Sequence, residues 1–231
     1  MGEMSTKAAL SSLLSLLLLC AGCTGVERNT VVESNTVFFY GEDIIPAIAV
    51  ENFTLIDSEG QDWNYHNQTE GKVVVIAFLF TNCIDICPIV TENLRWVHSQ
   101  LSEEEHNGTQ FLTITVDPWR DDTIALSEWK QYRNASWPHV TTNSTDEDSP
   151  AFEIIQSVWE NFAVGLSIEE TPENETNTSA RHHPDAYSVN HSTGTVLVDS
   201  NGMQRVWWGD NDWLTDLVLA DIQTLLKDDL N

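Results

Sequence analysis

An α/β fold with a central mixed sheet flanked by helices is predicted from three observations in this 231-residue chain. Val73-Val-Val-Ile-Ala-Phe-Leu-Phe80 is apolar at both alternate sets of positions, the pattern of a central strand covered on both faces. It opens a β-α-β-α succession, which builds a sheet under covering helices with right-handed crossovers. Near the C-terminus, two alternating segments flank Ser200-Asn-Gly202, and the Asn-Gly pair signals an antiparallel hairpin.

The elements follow in order. Residues 1–22 read as an export signal: Lys7 lies in a short polar start, an apolar run extends from Ala8 through Leu19, and Cys20-Ala-Gly-Cys23 follows. The run is too short for a membrane span. Ala21 and Gly22 before Cys23 resemble a bacterial-type lipobox, with Cys20 standing where such boxes usually carry Leu. Lipid attachment at Cys23, plain cleavage and an uncleaved anchor are the alternatives for this segment. Residues 23–37 are a polar spacer without periodicity, and 38–231 are a single domain. The expected product is exported and anchored to the cell membrane, with its domain on the extracytoplasmic side.

Phe53–Gly60 reads as a strand running into a turn, with a second short strand at Asp62–Tyr65. After the central strand, Pro88 suits the first turn of a helix, and Ile89, Leu94, Val97 and Leu101 mark an apolar face reaching to about Glu104. Phe111–Val116 is the next strand, ended by Asp117-Pro118. Helices are expected at Thr123–Tyr132 and Phe152–Phe162. Residues 166–184, rich in Glu, Asn and Thr, read as a loop. Ala186–Asn190, Thr195–Asp199 and Met203–Trp208 are strands. A helix from Trp213 to Leu226 carries Leu214, Leu217, Val218, Ile222 and Leu225 on one face.

The formal charge of −26 argues against binding to nucleic acid or anionic lipid. It serves solubility, or it attracts a cationic metal or a basic partner. Asn-X-Ser/Thr sequons at Asn52, Asn67, Asn107, Asn134, Asn143, Asn174, Asn177 and Asn190 suit an exported surface, or reflect the Asn and Thr content alone.

With Cys20 leaving in the signal and Cys23 taken by lipid, Cys83 and Cys87 are the thiols of the mature domain. They lie in Thr81-Asn-Cys-Ile-Asp-Ile-Cys-Pro-Ile-Val90, where the central strand hands over to a helix. A disulfide closing so short a loop constrains little of the unfolded chain, so redox or metal work is the stronger reading. Unpaired N–H groups and partial positive charge at a helix start favour the thiolate form. Two thiolates leave a soft ion under-coordinated, and an imidazole is the economical third donor. His191 stands out because it closes the strand Ala186–Asn190 ahead of Ser192-Thr-Gly194. His66, His98, His106 and His139 read as solvated histidines in turns or on polar helix faces, whereas His182 and His183 are adjacent in the loop and able to recruit metal.

Three blocks carry a resemblance: Thr81-Asn-Cys-Ile-Asp-Ile-Cys-Pro88, Ile114-Thr-Val-Asp-Pro118, and Tyr187-Ser-Val-Asn-His-Ser192 followed by Val196-Leu-Val-Asp199 and Gly202. In this order, over roughly residues 45–226, they resemble the Sco/SenC copper-chaperone family, whose members assist assembly of the copper centre of respiratory cytochrome c oxidase. The resemblance implies a thioredoxin-like fold and one copper, Cu(I) or Cu(II), held by Cys83, Cys87 and His191. It also implies supporting roles for Asp85, which would tune the site without ligating, and for Asp117, whose plain alternative is a strand-ending turn. The implied partner is the copper-binding subunit of an oxidase or another exported cuproprotein. Ile84 stands where the family commonly has Pro, and Asn190 where it usually has Asp; neither change removes a ligand.

The same thiols support a rival, a thiol-disulfide reductase that keeps a partner's copper-site cysteines reduced, which needs Cys83 and Cys87 but not His191. A thiol peroxidase and a binding domain with inert cysteines are the further alternatives. For the peroxidase, the nearest Arg in sequence to Cys83 is Arg95.

Overall fold

The computed structural model describes residues 37–170, 187–192 and 194–228. The export signal, Cys20, Cys23, nearly all of the spacer, His182, His183, and the sequons at Asn174 and Asn177 lie outside the described residues.

The central strand is β4, Val73–Leu79, buried at every position as its unbroken apolar run requires. It pairs in parallel with β5, Thr109–Thr115, which pairs in parallel with β6, His139–Thr141. On its other side β4 runs antiparallel to β9, Gly194–Val198, which forms the Asn-Gly hairpin with β10, Met203–Gly209. β1, Glu42–Ala49, lies against β10 at one edge, and β2, Thr54–Asp57, with β3, Asp62–Asn64, closes the other. The order β1-β10-β9-β4-β5-β6-β2-β3 makes a mixed eight-stranded sheet. β1 and β6 were not expected from the sequence, since β6 is only three residues long and β1 has an exposed pattern broken around Pro46.

Helices cover both faces. Val74, Ile76 and Phe78 of β4 pack toward α5, Pro150–Asn161, through Phe152, Ile155, Val158 and Trp159. Val73, Val75, Ala77 and Leu79 pack toward α2, Ile86–Gln100, through Cys87, Val90, Leu94 and Val97, and toward α6, Thr215–Asp228, through Val218, Ile222 and Leu225. The alternation of β4 thus supplies two separate cores from one strand. The short α1, Tyr65–Thr69, follows β3, while α4, Thr123–Arg133, supplies the crossover between β5 and β6.

Several sequence expectations are corrected. The single helix expected to reach Glu104 stops at Gln100, and a separate α3, Glu103–Asn107, begins behind Ser102, whose side chain and that of Glu105 form a reciprocal capping box. Leu214 is 59% exposed and precedes α6 instead of joining its apolar face. The loop expected over 166–184 begins as β7, Leu166–Glu170, antiparallel to β8, Tyr187–His191, in a second small sheet. His139 is fully buried in β6, with Nδ1 3.0 Å from the Trp137 carbonyl, because a strand between two cores has no solvated face.

Candidate metal centre

The cysteine loop is the junction between β4 and α2, at the C-terminal edge of a parallel strand, where open α/β sheets place their sites. Its start is pinned. Thr81 donates its backbone N–H to both carboxylate oxygens of Asp121, at 3.2 and 3.1 Å, and its hydroxyl to one of them. The Thr115 hydroxyl donates to the other at 2.6 Å. Asp121 is fully buried, and that burial pushes its carboxyl up to about 7.

At the start of α2, Asp85 occupies the N-cap position yet makes no side-chain capping bond. The sulfur of Cys83 takes that role and accepts the Cys87 backbone N–H at 3.3 Å. The Cys87 thiol also interacts with this sulfur, as do the N–H groups of Asp85 and Ile86. Chief among the causes is the hydrogen bond from the Cys87 thiol, and together they lower Cys83 to about 6. Cys87 moves the opposite way: its proton is held by the Cys83 sulfur, its side chain is completely buried, and the buried carboxylate of Asp210 adds repulsion. The two sulfurs are not bonded to each other, and Cys83 stands partly exposed in front with Cys87 buried behind it.

His191 ends β8 and faces the same cleft. A space of about 470 Å³ is lined by Phe80, Cys83, Asp85, Arg120, Tyr187 and His191, among others. The His191 ring stands edge-on to Phe80 with centres 5.7 Å apart. Nδ1 lies 3.3 Å from the Ser192 carbonyl, so we assign the proton to Nδ1, which leaves Nε2 as the free donor atom. Burial lowers the imidazole below its usual range and keeps it neutral near pH 7. The fold therefore brings Cys83 and Cys87 into contact and sets His191 in the cleft that Cys83 opens on. Among the described residues no three His, Cys, Asp or Glu side chains are gathered tightly enough to hold an ion.

Asp117 is fully buried, and its partners are Tyr187 and Arg120. Its carboxylate accepts hydrogen bonds from the Tyr187 phenol and from Nε of Arg120. Arg120 also donates to the Tyr187 carbonyl at 3.2 Å and lies 3.9 Å over its ring. Burial raises the Asp117 carboxyl despite the arginine beside it. The start of β8 is thus clamped to the loop after β5. Sequence reasoning assigned no part to Arg120, Asp121 or Asp210. The packing of two acids and an arginine into Asp117-Pro-Trp-Arg-Asp121, directly after a buried strand, was the available signal for the first two.

The family model described as SCO1/SenC matches residues 43–227. The chain belongs to the SCO1/SenC family. A Stutzerimonas stutzeri protein named for copper binding is 29% identical over 196 residues, covering 83% of this chain and 84% of that one. The apo Sco1 protein of Thermus thermophilus superposes with a TM-score of 0.65 at 24% identity, over 83% of this chain and 99% of that one. Yeast Sco1, solved with copper bound, gives 0.61 at 26% identity, over 79% and 90%. The fold is the thioredoxin-like one that the sequence resemblance implies.

Proposed function

We propose that this SCO1/SenC protein carries one copper as its cargo, held by the thiolates of Cys83 and Cys87 and the imidazole of His191. In this reading it delivers the ion to the copper-binding subunit of a respiratory cytochrome c oxidase or to another exported cuproprotein. The carrying observation is that Cys83 and His191, more than a hundred residues apart in sequence, line one cleft with Cys87 directly behind. The donor set fits the ion: thiolates select Cu(I), imidazole suits either oxidation state, and a three-donor site leaves the metal open to transfer by ligand exchange. Loading requires His191 to close on the sulfurs. β8 favours this, because it pairs with β7 and not with the main sheet. Asp85 biases the site through its charge, and Asp117 positions the start of β8.

Anaerobic Cu(I) titration of the reduced chain tests the proposal, with Cys83→Ala, Cys87→Ala and His191→Ala in parallel. The expected result is one copper per chain, weakened at least roughly a hundredfold in each variant, since lost ligands cost more than lost outer partners. Equal affinity in the parent and the His191→Ala protein overturns the ligand set.

A second reading, thiol-disulfide exchange on the cysteines of a copper-site partner, is favoured by the asymmetry of the pair. An accessible acidic thiol in front of a buried one is the arrangement of an attacking and a resolving cysteine. Retained exchange on a dithiol peptide by a His191→Ala protein that no longer binds copper would favour it.

We further infer that residues 1–22 are an export signal and that lipid on Cys23 tethers the domain outside the cytoplasm. Mass spectrometry of the N-terminus of the mature protein decides between lipidated and unmodified Cys23.

A further inference from the structure

We propose that His98 and His106 form a second metal site for a divalent ion of right-angled preference, Cu(II) foremost, at the far end of α2 from the cysteines. The two residues sit on different helices, and the Ser102 capping box brings them together. The Glu105 N–H reaches the Ser102 hydroxyl at 3.3 Å and the Ser102 N–H reaches the Glu105 carboxylate at 2.7 Å, turning α3 back across the last turn of α2. The imidazole centres are 4.4 Å apart at an interplanar angle of 67°. Two imidazoles bound to one ion through bonds of about 2.0 Å have ring centres roughly 4.5 Å apart at a right angle and roughly 5 Å apart at a tetrahedral one. The observed spacing matches the former, the geometry of tetragonal Cu(II) or Ni(II) with N and O donors.

The pair is built to stay in place. His98 stands edge-on to Phe111 with centres 4.9 Å apart, and its ring lies 5.8 Å from that of Trp137. Both histidines are half-buried, so each keeps an open side toward solvent. Among the described residues the two rings make ring contacts and no hydrogen bond, leaving nitrogen lone pairs uncommitted. Burial, with the neighbouring His106, lowers His98 and keeps it in the neutral form that a metal needs. His98 lies eleven residues beyond Cys87 on the same helix, roughly 16 Å along an axis rising about 1.5 Å per residue, so the two sites are separate. The net charge of −26 raises the local concentration of divalent cations around it.

The test uses the full chain carrying Cys20→Ser, Cys23→Ser, Cys83→Ser, Cys87→Ser, His191→Ala, His182→Gln and His183→Gln, which removes every other thiol and paired imidazole donor considered above. Cu(II) is titrated and followed by electron paramagnetic resonance and calorimetry. The expected result is one equivalent bound with an axial spectrum showing nitrogen couplings, and a loss of affinity greater than about tenfold on adding His106→Gln. His106 lies on a short, half-solvated helix, so this variant keeps the fold, which its unliganded melting temperature checks. His98→Gln should reproduce the loss. Absence of Cu(II) binding in the background protein, or affinity and spectrum unchanged by His106→Gln, overturns the proposal and leaves the pair as ring packing.

Discussion

The phenol of Tyr187 donates its proton to the buried carboxylate of Asp117, 70 residues earlier in the chain. This bond joins the loop after β5 to the first residue of the strand that ends in His191, so one side of the cleft is held by a charge-assisted contact anchored on the other.

Tyr187→Phe removes that contact while keeping the ring under Arg120. The expected outcome is a loss of about 2 kcal/mol in stability, appropriate to a hydrogen bond to a charged group. Copper affinity should fall by about tenfold as the origin of β8 loosens, with dithiol exchange retained. Urea denaturation and Cu(I) competition titration measure the two effects; unchanged copper affinity would show that the clamp is purely structural.

The pair of thiols should react as unequal partners. Cys83, lowered to about 6, is mostly thiolate at neutral pH, so its alkylation rate should plateau above pH 7 and fall about tenfold per unit below its midpoint. Cys87, pushed up and buried, should stay unmodified until the protein unfolds. Mass-resolved iodoacetamide labelling between pH 4.5 and 8.5 tests both halves. A Cys83 midpoint near that of a free thiol would remove the argument from the helix start.

Asp121 couples the cleft to pH in stability. Its carboxyl is raised to about 7 in the fold by burial, so its contribution to stability is complete below the ordinary carboxylate range and drains away as pH climbs through about 7. Asp121→Asn should flatten that segment of the stability curve, so that the variant gains on the parent between pH 4.5 and 8. Denaturant midpoints of both proteins across the window test it, and parallel curves would sink it.

Gly194 opens β9, three residues after His191. A Cβ there would lie 2.4 Å from Nε1 of Trp207 and 2.9 Å from the Trp208 carbonyl, and the carbonyl cannot move without breaking the β9–β10 pairing. Gly194→Ala should cost about 1–3 kcal/mol by overpacking. Thermal melting measures it, and an unchanged melting point would mean that the hairpin yields freely.

Much of this was legible in the chain. β4 announced itself because a strand covered on both faces has no polar position to spare, and the β9–β10 hairpin because Asn201-Gly202 allows few other turns. Cys83 and Cys87 were readable as a candidate site because their spacing, the preceding strand and the following Pro88 are all local. β6 and β7 were not readable, since three to five residues carry too little period. His139 was misread for the same cause: its burial comes from neighbours on either side of the sheet and not from its own segment. The His98–His106 contact depends on a helix break that the capping box explains once seen, but the apolar pattern runs straight through it.

From its order of residues alone, the chain determined a sheet with helices on both faces, a strongly acidic composition and a thiol pair poised at a helix start. These follow from interactions within a strand or a helical turn, where spacing is geometry. Tertiary structure decided that His191 opens onto the cleft of Cys83, that Asp117 serves Tyr187 and that Asp121 serves Thr81. Each of those pairings spans tens of residues, and which side chain meets which is settled by the path on which the whole chain buries its apolar surface, a property that no short window of sequence contains.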